Sequence, residues 1–212
     1  MGKAADRRFL LVLLLSLSAV FVWSLIHPHD YFTWFLEVLP AVVGVAVLAA
    51  THRRFPLTKL AYVLIWIQAV ILIVGGHYTY AEMPLFNWIR DHYGLHRNYY
   101  DRVGHLAQGF VPAIISREVL LRASPLRPGK WLTFIVICIC LAMSALYELI
   151  EWRTSVALGS TADAFLGTQG DPWDTQEDMA CALVGAITAL AVLGRYHNRQ
   201  LRVMLGGAGE QR

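Results

Sequence analysis

The sequence predicts an all-α membrane protein built as a six-transmembrane helical bundle, and three observations carry that expectation. Of 212 residues, 57% are hydrophobic and only 16% are charged, with a mean hydropathy of +0.48; soluble domains carry roughly 25% charged residues. Six apolar segments can be marked: Phe9–Ile26, Tyr31–Ala50, Leu60–Tyr80, Val103–Leu121, Trp131–Trp152 and Met179–Tyr196. Each is long enough to cross a hydrocarbon layer of roughly 30 Å as a helix. Basic residues recur in every second connection, as expected of a chain that crosses repeatedly.

The first segment follows Lys3, Arg7 and Arg8, which gives it the look of a signal peptide. Its apolar run continues to Ile26 without a convincing small-residue cleavage site, so it reads as a retained first span. Arg53, Arg54 and Lys59 join segments two and three; Arg122, Arg127 and Lys130 join four and five; Arg195, Arg199 and Arg202 follow six. These four regions share one side, which the positive-inside rule makes cytoplasmic. The expected organisation is a cytoplasmic N-terminal tail over residues 1–8, a transmembrane domain over 9–196 and a cytoplasmic C-terminal tail over 197–212. The expected location is a bacterial inner membrane, multi-pass, with the lipid bilayer as the chief partner. The net charge of +3 is accounted for by this topology, so it gives no support to nucleic-acid binding. Cys138, Cys140 and Cys181 all lie inside apolar segments and read as buried small hydrophobes.

The opposite side holds longer loops. Met83–Tyr93 mixes Phe86, Trp88, Ile89 and Tyr93 with Asn87, Arg90, Asp91 and His92, the pattern of a short external interfacial helix at headgroup depth. Arg153–Trp173 is acidic towards its end and contains Gly159, Gly167 and Gly170. A long loop beside a polar site is often a binding loop, and Asp163 is its candidate contact.

Ionisable side chains gather at this external face. His77, Tyr78 and Glu82 close the third segment, Asp101 and His105 open the fourth, Glu148 and Glu151 close the fifth, and Asp174 and Asp178 open the sixth. Such groups at the edge of hydrocarbon are costly unless paired or metal-bound. Asp101 and His105 are four apart, about 40° around a helix, and Gln108 continues their stripe inward. Glu148 and Glu151 share a face about 60° wide and repel unless they share a proton, a cation or an arginine. Arg97, Arg102 and Arg153 are available partners. Asp101 also reads as a helix cap, and one of Asp171 and Asp174 is expected to cap the sixth helix. Glu37, three residues before Pro40, fits the site and the membrane interface equally well.

The candidate catalytic set is therefore His105, Glu148, Glu151 and Asp178. His77, Tyr78, Glu82, Arg97, Gln108 and Asp163 form the candidate binding set, and Asp101, His105, Glu148 and Asp178 the candidate metal ligands. Mixed carboxylate and imidazole donors from facing helices suit a divalent transition metal, Zn, Mn or Fe, better than Ca or Mg. No local metal motif is present in the sequence; the expectation rests on convergence.

The stretches GGHYTYAEMPLFNWI (Gly75–Ile89), RNYYDRVGHLAQGFVPA (Arg97–Ala113), YELIEW (Tyr147–Trp152) and GDPWDTQEDM (Gly170–Met179) resemble the YjdF-like family of bacterial inner-membrane proteins over nearly the whole chain. That resemblance implies location and topology rather than a chemistry. More distantly, Asp101-x-x-x-His105, Glu148-x-x-Glu151 and Asp174-x-x-x-Asp178 are similar to VanZ-like proteins, which are associated with glycopeptide resistance. The present chain has Glu151 where those proteins usually have Gln.

Three functions fit these residues. The first is a metal-dependent enzyme acting on a lipid or lipid-linked envelope substrate, with a carboxylate or His as general base. The second is a non-catalytic envelope-component binding or accessory protein, and the third a small proton-coupled transporter. The sequence is compatible with an oligomer.

Overall fold

The computed structural model describes residues 3–159 and 168–209, and the described residues are helical throughout with no strand. The helices are α1 (Lys3–Ser24), α2 (Tyr31–Thr51), α3 (Lys59–Tyr78), α4 (Pro84–Tyr93), α5 (Tyr100–Ala123), α6 (Lys130–Leu158) and α7 (Asp174–Gly209), with a single 3₁₀ turn at Tyr80–Glu82. Five of them, α1, α2, α3, α6 and α7, are long and apolar enough to cross a membrane.

Local signals explain the ends. Asp30 caps α2, its carboxylate accepting the Thr33 N–H at 2.6 Å; that bond holds its pKa below the usual carboxylate value. Thr58 caps α3 through Ala61. Pro84 opens α4, where a missing N–H costs nothing, and Gly94 closes it in the left-handed conformation (φ 64°). None of the ten α4 residues is buried, and Leu85, Trp88 and Tyr93 are exposed.

α5 is the organising element. It carries too many ionisable groups to read as a simple apolar span, yet Asp101, Arg102, His105, Arg117 and Glu118 are all buried. The other helices supply what it needs: α3, α6 and α7 pack around it, with α7 most intimately, so that its polar groups face protein rather than lipid. The α5–α7 contact rests on reciprocal glycines. A β-carbon at Gly109 would land on the Ala182 carbonyl, and one at Gly185 on the Leu106 carbonyl. Small residues at such crossings let backbones touch. The main apolar core, including Leu64, Val111, Ile114, Val136 and Ala186, lies just inward of this crossing. A second core joins Val38, Ala41, Ala69 and Ile73 between α2 and α3.

Several boundaries extend past those drawn from hydropathy, α6 for instance to Leu158. α1 begins at Lys3, inside the expected N-terminal tail, and α7 runs to Gly209, well past Tyr196. At 36 residues α7 is about 54 Å long, beyond the thickness of hydrocarbon. The cause is a polar knot. Buried Glu118 accepts hydrogen bonds from Thr58 N (2.9 Å), Thr58 Oγ1 (2.7 Å), Arg122 Nη1 (2.8 Å) and His197 Nε2 (3.0 Å). Arg117 reaches His197 and Asn198. His197, placed by hydropathy in the C-terminal tail, is fully buried. With its donors all satisfied, this knot fastens α3, α5 and α7 together at the end of the bundle opposite the candidate site.

Candidate functional site

The end of α3, the start of α5, the end of α6 and the start of α7 meet at one end of the bundle. Asp101, His105, Glu148, Glu151, Asp174 and Asp178 are all buried there, and Glu37 of α2 joins them at 3% exposure. Two arginines organise the α7 side. Arg97 Nη1 donates to Asp174 Oδ1 (2.6 Å) and Asp171 Oδ2 (3.2 Å). Arg102 reaches Asp171 Oδ2 (3.3 Å), Asp174 Oδ1 (2.9 Å), Glu177 Oε2 (2.9 Å) and Asp178 Oδ1. Both lie 3.5 Å from Asp101 Oδ2. Planar guanidinium groups suit this many-carboxylate arrangement.

His105 occupies the centre. Its Nε2 lies 3.5 Å from Asp101 Oδ1 and 3.8 Å from Asp178 Oδ1, and its Nδ1 lies 3.6 Å from Glu148 Oε1. Donor atoms of Asp101, His105 and Asp178 fall within 4.8 Å of one another. Glu148, expected among the same ligands, stands instead on the Nδ1 side of the ring. Neither His105 Nδ1 nor Glu148 Oε1 has a protein hydrogen-bond partner. Among the described residues of this end, six buried carboxyl groups face two buried guanidinium groups. The excess must be met by protons or by bound cations.

Beneath the cluster runs a cavity of 360 Å³ between α2, α3, α5 and α6. Glu37, Tyr80, Asp101, His105, Tyr147 and Glu151 line its polar end. Its walls further in are apolar, broken by Gln68 and Gln108. The Tyr80 ring is wedged between Gly75 and Gly104, where any β-carbon would collide with it. Thr79 sets it there with an unusual positive φ of 60° while itself 1% exposed. Such strain, worth about 1–3 kcal/mol, persists only where packing over-determines it.

The remaining expected residues divide. Arg97 and Gln108 belong to this assembly. His77 does not: its ring packs on Trp23 at 4.3 Å and its Nδ1 donates to the Ser24 carbonyl at 3.1 Å, tying α3 to α1. Tyr78 packs on Trp23 and His77. Glu82 is exposed and accepts from Asn87 at 3.0 Å. Arg153 turns away over the Trp152 ring. Asp163 lies outside the described residues. Asp171 takes the capping role expected of one of the two aspartates: its Oδ1 accepts the Trp173 N–H at 2.9 Å. That bond, with the two arginines, keeps its pKa below the usual value. Asp174 is buried against the arginines.

The sequence marks Arg102 only as an ion-pair partner and Asp174 only as a possible helix cap, Tyr80 only as part of the polar cluster after the third segment, and Asn98 not at all. Buried Asn98 exchanges two hydrogen bonds with Gln169 and holds Met83 O and Asn87 Oδ1, so it fixes both flanking loops to the start of α5. The motif RNYYDRVGH (Arg97–His105) therefore works as a unit, and the density of polar residues around His105 was the signal for Arg102.

Comparison with known proteins agrees with this membrane bundle. A family described as "Predicted membrane protein (DUF2238)" matches residues 9–199. The inner membrane protein YjdF of Escherichia coli (strain K12) is 51% identical over 188 residues, covering 89% of this chain and 90% of its own. No solved structure matches, and these comparisons point to YjdF rather than to VanZ-like proteins. The chain is a multi-pass membrane protein that belongs to the DUF2238 family, together with YjdF-like proteins.

Proposed function

We propose that this is a six-span inner-membrane protein, both termini cytoplasmic, whose periplasmic-face site binds a divalent transition metal and acts on a lipid or lipid-linked envelope substrate. α5 is the sixth span, made tolerable by the helices around it, and α4 is the interfacial helix. The observation that carries the reading is the Asp101–His105–Asp178 group set in an excess of buried acid. Two ligand atoms of a tetrahedral zinc ion with bonds of 2.0–2.1 Å stand about 3.3 Å apart. The 3.5 and 3.8 Å separations from His105 Nε2 are close to that spacing. The arginines occupy one oxygen of Asp101 and one of Asp178, but a carboxylate offers about four lone-pair sites.

In this arrangement Asp101, His105 and Asp178 hold the ion. Glu148 faces Nδ1 of the same imidazole, in the position that fixes ring orientation in carboxylate–histidine–metal sites. A bound ion would supply Lewis acidity. Glu151, on the cavity side, is placed to exchange a proton with a bound substrate. Purified protein should carry a near-stoichiometric transition metal by elemental analysis, and the Glu148→Gln/Asp178→Asn double variant should lose it while staying folded. A metal-free wild type would sink the reading.

A second reading, a binding or accessory protein without chemistry, is favoured by the arginine bonds that already reach Asp101, Asp174 and Asp178. It predicts that metal-free outcome. Proton-coupled transport fits less well, because the apolar core of Leu64, Val111 and Ile114 fills the bundle between the two polar ends of α5.

A further inference from the structure

The cavity has a side door. Pro40 of α2 and Met143 and Leu146 of α6 line it, yet all three are also exposed on the outside of the bundle, Met143 by 44% and Leu146 by 59%. Leu146 also borders a shallow, mainly apolar surface groove between α2 and α6, formed with Phe32, Leu36, Leu149 and Ile150 and edged by Arg153 and Thr154. Cavity and groove thus meet at the α2–α6 seam. Once the chain lies in a bilayer, that seam faces acyl chains, not water. Gly44 sits on the same wall, and a β-carbon there would meet nothing within 4 Å.

The polar end of the cavity has one sign. Glu37, Asp101 and Glu151 line it with His105, Tyr80 and Tyr147, and among the described residues no lysine or arginine does. Arg97 and Arg102 are engaged on the far side, against α7. Among the described residues, Gln68 Oε1 and Gln108 Oε1 line the cavity without a hydrogen-bond partner, as does Nδ1 of His105, whose side chain is 5% exposed, while the Tyr147 hydroxyl faces the Glu37 carboxyl. A neutral hydrocarbon would leave these groups unsatisfied. An anionic head would add repulsion to an acid excess that a single divalent ion does not cancel. A protonated amine is matched by the carboxyl groups of Glu37 and Glu151 and by two tyrosine rings.

We propose that the cavity takes an amine-bearing lipid from the outer leaflet. The lipid enters between α2 and α6, its tail lies along Gly44, Met143 and Leu146, and its amine sits between Glu37 and Glu151, on the cavity side of the metal ligand Asp101. This rests on the site reading above and names its substrate class. The orientation agrees with that of an outer-leaflet lipid, with the head at the membrane face and the tail towards the midplane.

The test uses the full-length protein in nanodiscs and a diazirine-bearing hexadecylamine, with matched hexadecanoate and hexadecyl phosphate probes. The amine probe should label Met143, Leu146 and neighbours on α2. Labelling should fall about tenfold in Gly44→Leu, whose β-carbon meets no neighbour and whose side chain would take up space on the tail wall. Glu37→Gln should narrow the preference for amine over phosphate. Labelling spread evenly over the lipid-facing surface and unchanged by Gly44→Leu would overturn the proposal, as would equal labelling of the cavity by the phosphate probe. Metal content measured on the same samples keeps the two ideas apart. Metal-free protein that still captures the amine removes the metal and leaves the lipid site. Metal-loaded protein without capture does the reverse.

Discussion

Arg102 bridges four carboxylates from α7 and the segment before it, and it is the residue on which the site's electrostatics turn. Asp178, 1% exposed on its side chain, receives its short ionic hydrogen bond from Arg102. Removing one partner of a buried pair leaves a charge uncompensated, at about 3–5 kcal/mol. Arg102→Met should therefore lower unfolding stability in detergent by about that amount. A loss below about 1 kcal/mol would mean that the carboxylates are held by protons rather than by the arginine. Arg102→Lys should rescue only part, since an ammonium cannot span the same set of oxygens. Glu148 gives a finer test of the metal reading. Glu148→Gln keeps the side chain's size and removes its charge beside His105 Nδ1, and should weaken metal binding about 10–100-fold with little change in fold. Loss of all metal from this single variant would make Glu148 a direct ligand after all. His105, Glu148, Glu151 and Asp178 were legible in the sequence because inward ionisable groups on apolar segments have few bland explanations. His77 was misleading for the same reason. Its partner is a main-chain carbonyl on α1 and its neighbour an indole, and nothing in the local sequence distinguishes that from a site.

At the scale of the helix, the position of Asp178 relative to His105 is set less by either residue than by Gly109 and Gly185. Asp101 and His105 lie about two turns and one turn before Gly109, and Asp178 about two turns before Gly185, so the crossing point fixes how closely the two polar stripes approach. Gly109→Ala would push a methyl group into the Ala182 carbonyl. Overpacking of this kind typically costs about 1–3 kcal/mol or more. The variant should show reduced folded yield and, where folded, loosened metal binding although no ionisable group has changed. Gly44→Ala is the control, because its β-carbon meets open space. Equal stability of Gly109→Ala and wild type would place the crossing elsewhere. The crossing was not read from the sequence on its α5 side, since Gly109 lies in a helix read mainly for its charges. The length of α7 was illegible for a related reason. Hydropathy ends the segment at Tyr196, but Leu201 is buried and His197 is held by Glu118 some eighty residues away, and a local window cannot report such a contact.

For the molecule as a whole, composition and six apolar runs made the all-α bundle plain, and charge placement suggested its orientation. What they could not supply was the hierarchy among the helices: α5, the least apolar of the long ones, is wrapped by α3, α6 and α7. This has a topological consequence. If α5 spans the membrane, the number of crossings is even and both ends of the chain share the cytoplasmic side, with α4 and the α6–α7 loop outside. If α5 did not span, α6 would run in the opposite sense. The Arg122, Arg127 and Lys130 loop and the acidic α6–α7 loop would then exchange sides, against the positive-inside rule. The antiparallel packing that brings the start of α5 beside the end of α6 would also lose its membrane counterpart. Single cysteines introduced into a cysteine-free background decide the matter. A membrane-impermeant maleimide should label Trp88→Cys on α4 and Trp173→Cys before α7 in intact spheroplasts. Arg127→Cys and Arg199→Cys should react only after permeabilisation. Labelling of Arg127→Cys from outside would remove the sixth span, and with it the placement of His105 at the periplasmic face.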